Sequence, residues 1–232
     1  MISIVVPTFN RPNQLNNTLA SIVRQSYKDL EIIVVDDGTD EETQNVCQSY
    51  NVKYIKLIRP LSDLVRTPAR PYNVGIRNAK GDVIILQNAE CKHIDLNTIE
   101  KLVSMLTDTN VVFAKVFALN TAGQVINLYC GKDNPRPFFF CGAIKKMWLE
   151  KLRGFDEEYT HSGYDDDDMG ARLAKEGLTF HFSEIEVHHQ WHEQAGRIDF
   201  EPFQQMYSSK CALMAAGTLG TARNLDREWG SL

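Results

Sequence analysis

Short, continuous apolar runs alternate with segments whose apolar residues recur at helical spacing. Ile2 to Val6 is the first run, closed by Pro7. Thr8-Phe9-Asn10-Arg11 then reads as a loop. Pro12 suits the first turn of a helix, with Leu15, Leu19, Ile22 and Val23 at helical spacing behind it. Glu31 to Val35 is a second strand, ending in Asp36-Asp37-Gly38-Thr39-Asp40. Thr39 or Asp40 can cap the next helix, whose first turn carries Glu41 and Glu42 in keeping with its dipole. Val52 to Ile58 predicts a third strand, Pro68 to Ala79 a helix and Gly81-Asp82 a turn. Val83 to Leu86 is a fourth strand, running out at Gln87-Asn88-Ala89-Glu90.

Strands apolar on both faces and separated by helices imply an α/β fold, with a mostly parallel, Rossmann-like central sheet flanked by helices. Ligands of such sheets sit at the carboxyl ends of the strands. The polar clusters at 8–11, 36–40 and 88–90 should therefore converge on one crevice. Further along, Leu96 to Leu106 predicts a helix, Val111 to Leu119 a strand, and Phe138 to Gly142 another apolar run. Met147 to Leu152 predicts a short helix, and Asp165 to Glu176 a helix stopped by Gly177. Thr179 to Phe182 and Glu184 to His188 read as two strands. Phe200 to Ala216 reads as an amphipathic helix before a loosely held tail.

Composition narrows the classes. With 43% hydrophobic and 24% charged residues the chain is globular rather than disordered. A net charge of -5 excludes a general basic field for coating nucleic acid. Cys47, Cys91, Cys130, Cys141 and Cys211 are odd in number and widely spaced, without a Cys-x-x-Cys pair, which argues against a disulfide framework or thiolate zinc site. The opening apolar run is too short for a signal peptide, and no stretch approaches the roughly 20 apolar residues of a membrane span. The expected location is the cytoplasm, with no transmembrane segment.

Four constellations carry chemistry. Asp36 and Asp37, at a strand end, can accept hydrogen bonds from a base or ribose; the plain alternative is a turn and helix cap, at about even odds. Asn88-Ala89-Glu90 offers hard oxygens for magnesium or manganese against a diphosphate, where an ordinary polar loop is favoured roughly two to one. One carboxylate of Asp165-Asp166-Asp167-Asp168 can act as a general base, its proton affinity raised by its neighbours; a solvated helix start is the plain alternative. In His188-His189-Gln190-Trp191-His192 the first two imidazoles point to opposite faces, so His189 and His192 form the candidate metal pair. Trp191 offers a flat apolar face to a sugar or base.

These pieces, in this order, resemble glycosyltransferase family 2 with the GT-A fold. The resemblance rests on Ser3-Ile4-Val5-Val6-Pro7-Thr8-Phe9-Asn10-Arg11, Gln25-Ser26-Tyr27, Glu31 to Thr39, and Asn73-Val74-Gly75-Ile76 with Ala79-Lys80-Gly81-Asp82. Cys141-Gly142-Ala143, Gly154-Phe155-Asp156-Glu157 and Gly163 to Asp168 with Arg172-Leu173 resemble the acceptor-side segment of β-1,4-galactosyltransferases and polypeptide N-acetylgalactosaminyltransferases. It extends from Ser3 to about His192.

The resemblance implies that Thr8 and Asn10 line the nucleotide pocket with Pro7 and Arg11 beside them, and that Asp37, with Asp36, contacts the nucleoside. Arg66, Arg70, Asn73, Asn88 and Ala89 would lie near the nucleotide. Glu90 takes the place of the last carboxylate of an Asp-x-Asp metal motif, and His189 that of a late metal-binding histidine, with His192 nearby. Asp166, with Asp165 beside it, matches the catalytic base of inverting members. Gly142, Asp167 and Trp191 would face the acceptor or sugar. Asn88 departs from the family's usual aspartate, which weakens metal binding by one charge.

The expected protein is one GT-A domain over 1–232, with a nucleotide half at 1–90, an acceptor and metal half at 91–199, and a C-terminal helix and tail at 200–232. It would be an inverting transferase using Mn2+ or Mg2+ and a nucleotide sugar, a UDP-sugar in particular. The acceptor is open among glycan, protein, lipid-linked sugar and other hydroxyls. Three rivals stay open. A nucleotidyltransferase lacks its Gly-rich, Lys-containing loop here, a silent sugar-nucleotide or glycan-binding module is favoured by Asn88, and retaining enzymes share the same acceptor-side segment.

Overall fold

The computed structural model describes residues 1–58, 67–161, 163–193 and 199–232. Among the expected site residues, Arg66 lies outside the described residues. In chain order the elements are β1 (Ile2–Thr8), α1 (Pro12–Val23), β2 (Leu30–Asp36), α2 (Glu42–Gln48), β3 (Lys53–Lys56), α3 (Ala69–Asn78), β4 (Val83–Gln87) and β5 (Cys91–His93). There follow α4 (Thr98–Ser104), β6 (Asn110–Leu119), β7 (Val125–Cys130), β8 (Cys141–Lys145), α5 (Lys146–Lys151), α6 (Asp165–Lys175), β9 (Thr179–His189) and α7 (Glu201–Ala215).

The strands form one sheet in the order β3-β2-β1-β4-β8-β6-β9-β5, with β7 beside β6. β1 is parallel to β2 and β4, and β2 to β3, so the ends of these four strands point the same way. Every residue of β1 is buried, as expected of a strand covered on both faces. Beyond β4 the sheet turns mixed: β8 runs antiparallel to β4 and β6, while β6 and β9 are parallel. The parallel expectation thus describes the first half of the sheet, where helices supply the crossovers. No helix among the described residues is long and apolar enough to cross a membrane.

Two expectations change. The two strands read on either side of Ser183 are one, β9, whose register slips opposite Phe113 and Lys115. The Ser183 hydroxyl donates to Phe113 O at 2.9 Å, so the polar residue sits inside a bulge instead of ending the strand. The segment after α7 is held, not loose: Arg223, Asn224 and Trp229 are buried. Arg153 donates to the carbonyls of Arg223, Asn224 and Arg227, and Arg77 to that of Trp229. Helix α3 is covered along nearly its whole length, with Ala69 and Pro71 through Ile76 all buried. The C-terminal segment forms part of that cover.

Candidate active site

The crevice begins where β1 and β2 end. Asn10 has φ 52°, in the left-handed region that asparagine tolerates. Its Oδ1 accepts the Thr39 and Asp40 N–H groups at 2.6 and 3.3 Å, tying the two loops together. Gly38 is required there, since a Cβ at that position would run into Asn10. Asp36 is fully buried and accepts from Gly38 N–H at 2.8 Å, Tyr54 hydroxyl at 2.7 Å and Lys56 Nζ at 2.7 Å. Both its oxygens are engaged by the scaffold. Asp37 is buried next to it, and its N–H donates to Thr8 O at 3.0 Å. Thr8 Oγ1 is buried without a hydrogen-bond partner among the described residues, an unmet need that a bound molecule can fill.

Arg11 stands just before α1 and sends its guanidinium to Glu90, which lies just past β4. Glu90 is buried at 3% exposure. Burial alone would push its carboxyl up, but Arg11, then His189 and His192, outweigh it and hold the group below the usual range. Gln190 staples this corner. Its N–H and Nε2 both donate to Glu90 O, at 2.9 and 3.1 Å, and Nε2 also reaches Gln14 O at 3.1 Å.

His189 ends β9 opposite Cys91, with its ring against Tyr129, Phe140 and His192 at centroid distances of 5.2, 5.4 and 5.3 Å. Burial pushes its imidazole down to about 4, so at neutral pH the ring is uncharged with a lone pair to offer. Among the described residues no three of His, Cys, Asp and Glu gather into a ready cage for a metal ion. Glu90 and His189 lie near enough for their charges to interact. A carboxylate oxygen and a neutral imidazole suit a divalent ion that takes its other ligands from a phosphate group. The donor set therefore fits such an ion.

Separate hydrogen bonds lie between this corner and α6. The Tyr72 hydroxyl lies 2.7 Å from Asn88 Oδ1 and 2.9 Å from Phe139 O. The Phe139 N–H in turn donates to Asp166 Oδ1 at 3.4 Å. The four aspartates of α6 are sorted by their partners. Asp168 is fully buried and paired with Arg172 at 2.7 Å and Arg223 at 3.4 Å. Asp165 is buried and accepts from Thr67 Oγ1 and Gly163 N–H, both at 3.2 Å. Arg136 holds both oxygens of Asp167, at 3.1 and 2.8 Å. Asp166 stays half-buried. Burial pushes the Asp165 and Asp166 carboxyls up, and the Asp165 charge lifts Asp166 further.

Several expected contacts have other work. Asn73 is fully buried, its Nδ2 bonded to Phe155 O and Glu157 and its Oδ1 to Phe155 N–H. Arg70 reaches Ser231 O at 3.4 Å, toward the C-terminal segment and not the strand ends. Pro7 and Ala89 are buried, and the Ala89 carbonyl accepts from Thr18. Gly142 is buried in β8 against Phe113 and Phe139, and Asp167 is paired with Arg136. Trp191 is 45% exposed at the rim, its carbonyl tied to Gln14 at 3.0 Å. Tyr72, Arg136 and Gln190 escaped sequence reasoning. Each sits next to a recognised motif, but only its partners across the fold reveal its place.

The family model described as glycosyl transferase family 2 matches residues 3–155, and one described as the N-terminal domain of galactosyltransferase matches residues 129–194. A chondroitin synthase of Pasteurella multocida is 28% identical over 226 residues, which is 77% of this chain and 23% of that protein. The chain thus spans about a quarter of that relative's length. The crystal structure of S. aureus TarS 1-349 in complex with UDP superposes with a TM-score of 0.67 at 17% identity, covering 88% of this chain and 62% of that one. The mannosyltransferase PcManGT of Pyrobaculum calidifontis, in complex with GDP-Man and Mn2+, gives 0.64 at 17% identity, covering 95% and 65%. At such identities these likenesses establish the shared fold.

Proposed function

The chain belongs to glycosyl transferase family 2, and on that footing we propose that it moves a sugar from a UDP-sugar to an acceptor hydroxyl, with inversion and with the help of Mn2+ or Mg2+. The observation that carries this is the closeness of Asn88, at the end of β4, to the half-buried Asp166, with Tyr72 touching Asn88 and Phe139, and Phe139 touching Asp166. A donor seat and a base near one reacting carbon are what in-line displacement at an anomeric carbon requires. TarS bound to UDP and PcManGT bound to GDP-Man and Mn2+ support a nucleoside diphosphate donor on this fold.

In this reading Asp37 and the unpartnered Thr8 hydroxyl take the nucleoside, and Asp36 only shapes the turn. Glu90 and His189, with His192 beside them, would hold the divalent ion, which when bound offsets the charge of the departing diphosphate. Arg11 stands next to that charge and adds its own. Asp166 removes the acceptor proton, and its raised proton affinity suits a base working near neutrality. Trp191 gives the acceptor an apolar rim. The nucleotide half ends at Glu90, and the acceptor half follows it. Five free cysteines, four of them buried, accord with a reducing, cytoplasmic setting.

The test is release of UDP from a panel of UDP-sugars with manganese present, with and without acceptor saccharides. UDP release stimulated by an acceptor supports transfer. Tight UDP-sugar binding with no turnover under any acceptor favours a silent binding module, and the anomeric configuration of the product decides between inversion and retention.

A further inference from the structure

The run of four aspartates at the start of α6 poses a problem that the base assignment leaves open. A base works as a single ionised carboxylate, yet adjacent carboxylates repel and compete for the proton. The partners described above remove Asp168 into the core and tie Asp165 to Thr67. That leaves Asp166 and Asp167, neighbours at the mouth. The remaining partner is Arg136, on the loop between β7 and β8. Its guanidinium binds Asp167 through both oxygens, and its flat face lies 4.3 Å from the centroid of Phe138. This stacking fixes the orientation of the guanidinium whose Nη2 reaches both oxygens, which a flexible ammonium would not match. The same loop packs directly on α6, where a Cβ at Gly170 would strike the Pro137 ring. Two residues beyond Pro137, Phe139 N–H contacts Asp166 itself.

We infer that Arg136 is a positioning residue for the transfer: by clamping Asp167 it leaves Asp166 as the one carboxylate of the run that serves the acceptor. The inference rests on Asp166 being the base. The charged and titratable groups bearing on Asp166 are Asp165 and Asp167 on its own helix, Arg136 from the loop, Tyr72 from α3 and Cys130 from the end of β7. Arg136 is the cation of that set. Without it, Asp167 is released as a second free anion next to Asp166, and protonation of Asp166 becomes easier.

The experiment is a carboxyl carbon-13 NMR titration of protein labelled at aspartate Cγ, with Asp166 assigned by the signal lost in Asp166→Asn. Arg136→Met should move the Asp166 titration up by about one pH unit, the size expected from losing a nearby opposite charge. Arg136→Lys should fall between Met and wild type, and adding Asp167→Asn to Arg136→Met should restore the titration toward the wild-type value. Thermal melts of each variant report whether the fold is kept. An Asp166 titration unmoved in a folded Arg136→Met overturns the inference, as does failure of Asp167→Asn to restore it. The titration needs no acceptor, so its outcome is separate from that of the base assignment, which falls if Asp166→Asn turns over UDP-sugar normally.

Discussion

The Arg11 guanidinium, at the end of β1, donates to the buried Glu90 carboxylate at the end of β4, joining positions 79 residues apart. Two loops from neighbouring parallel strands are thereby locked at the crevice, and a carboxylate that burial would neutralise is kept ionised. Arg11→Met removes the cation and strands the anion. Discounting for the partial exposure of Arg11, the expected loss is about 2 kcal/mol at neutral pH. The sign of its pH dependence follows from Glu90. A carboxyl held below its unfolded value contributes stability above that value and loses it as pH falls through the folded one. Urea denaturation across pH 3 to 8 should show the wild-type advantage over Arg11→Met shrinking toward the acid end. An advantage constant with pH would separate Arg11 from Glu90.

Asp166→Asn should leave UDP binding intact and lower transfer by about 10²–10⁴-fold, the usual worth of a positioned base. Steady-state rates with an acceptor, alongside UDP titration, check both halves. Loss of UDP binding in this variant would mean that α6 serves the donor instead.

The same carboxylates should weaken the fold. The Asp165 carboxyl is pushed up to about 6 by burial, and Asp166 is raised as well. Between the unfolded value near 4 and the folded value, the native state binds more protons, so stability falls as pH rises through that window. Asp166→Asn removes part of this cost and should stabilise the protein at pH 7.5 by on the order of 1 kcal/mol, with little change at pH 4. Melting temperatures at the two pH values decide it; equal shifts at both would contradict the raised carboxyl.

Trp229 packs over α3 near Gly154, with the Arg77 guanidinium 5.8 Å from its ring centroid. Trp229→Ala should cost about 3 kcal/mol, as for other large aromatic truncations in cores. Denaturant unfolding measures it, and a change below about 0.5 kcal/mol, typical of surface positions, would return the C-terminal segment to the status of a loose tail.

The first half of the chain was the legible half, for a physical reason. β1, β2 and β4 are buried on both faces, so they appear in the sequence as unbroken apolar runs, and the polar clusters after them mark the crevice. β7 escaped notice because Val125, Ile126 and Asn127 lie exposed at an edge, where no pattern is imposed. Motifs gave proximity but not direction. Asp36 and Asn73 sit where a nucleotide-binding pattern puts them, yet their side chains turn inward to Lys56 and Phe155. Asp167 differs from Asp166 only by what folds against it, and its partner Arg136 is 31 residues away. The tail's anchors, Arg223 on Asp156 and Asp168, are ionic pairings across the fold that local sequence does not encode.

The seat of the donor at Glu90 is tested most directly by calorimetric titration of UDP into wild type and Glu90→Gln, each with manganese and with chelator. The account predicts UDP binding to the wild type that manganese strengthens at least tenfold, about 1.4 kcal/mol, and no manganese effect in Glu90→Gln. UDP affinity indifferent to manganese in the wild type, or a manganese effect that survives in Glu90→Gln, would contradict it.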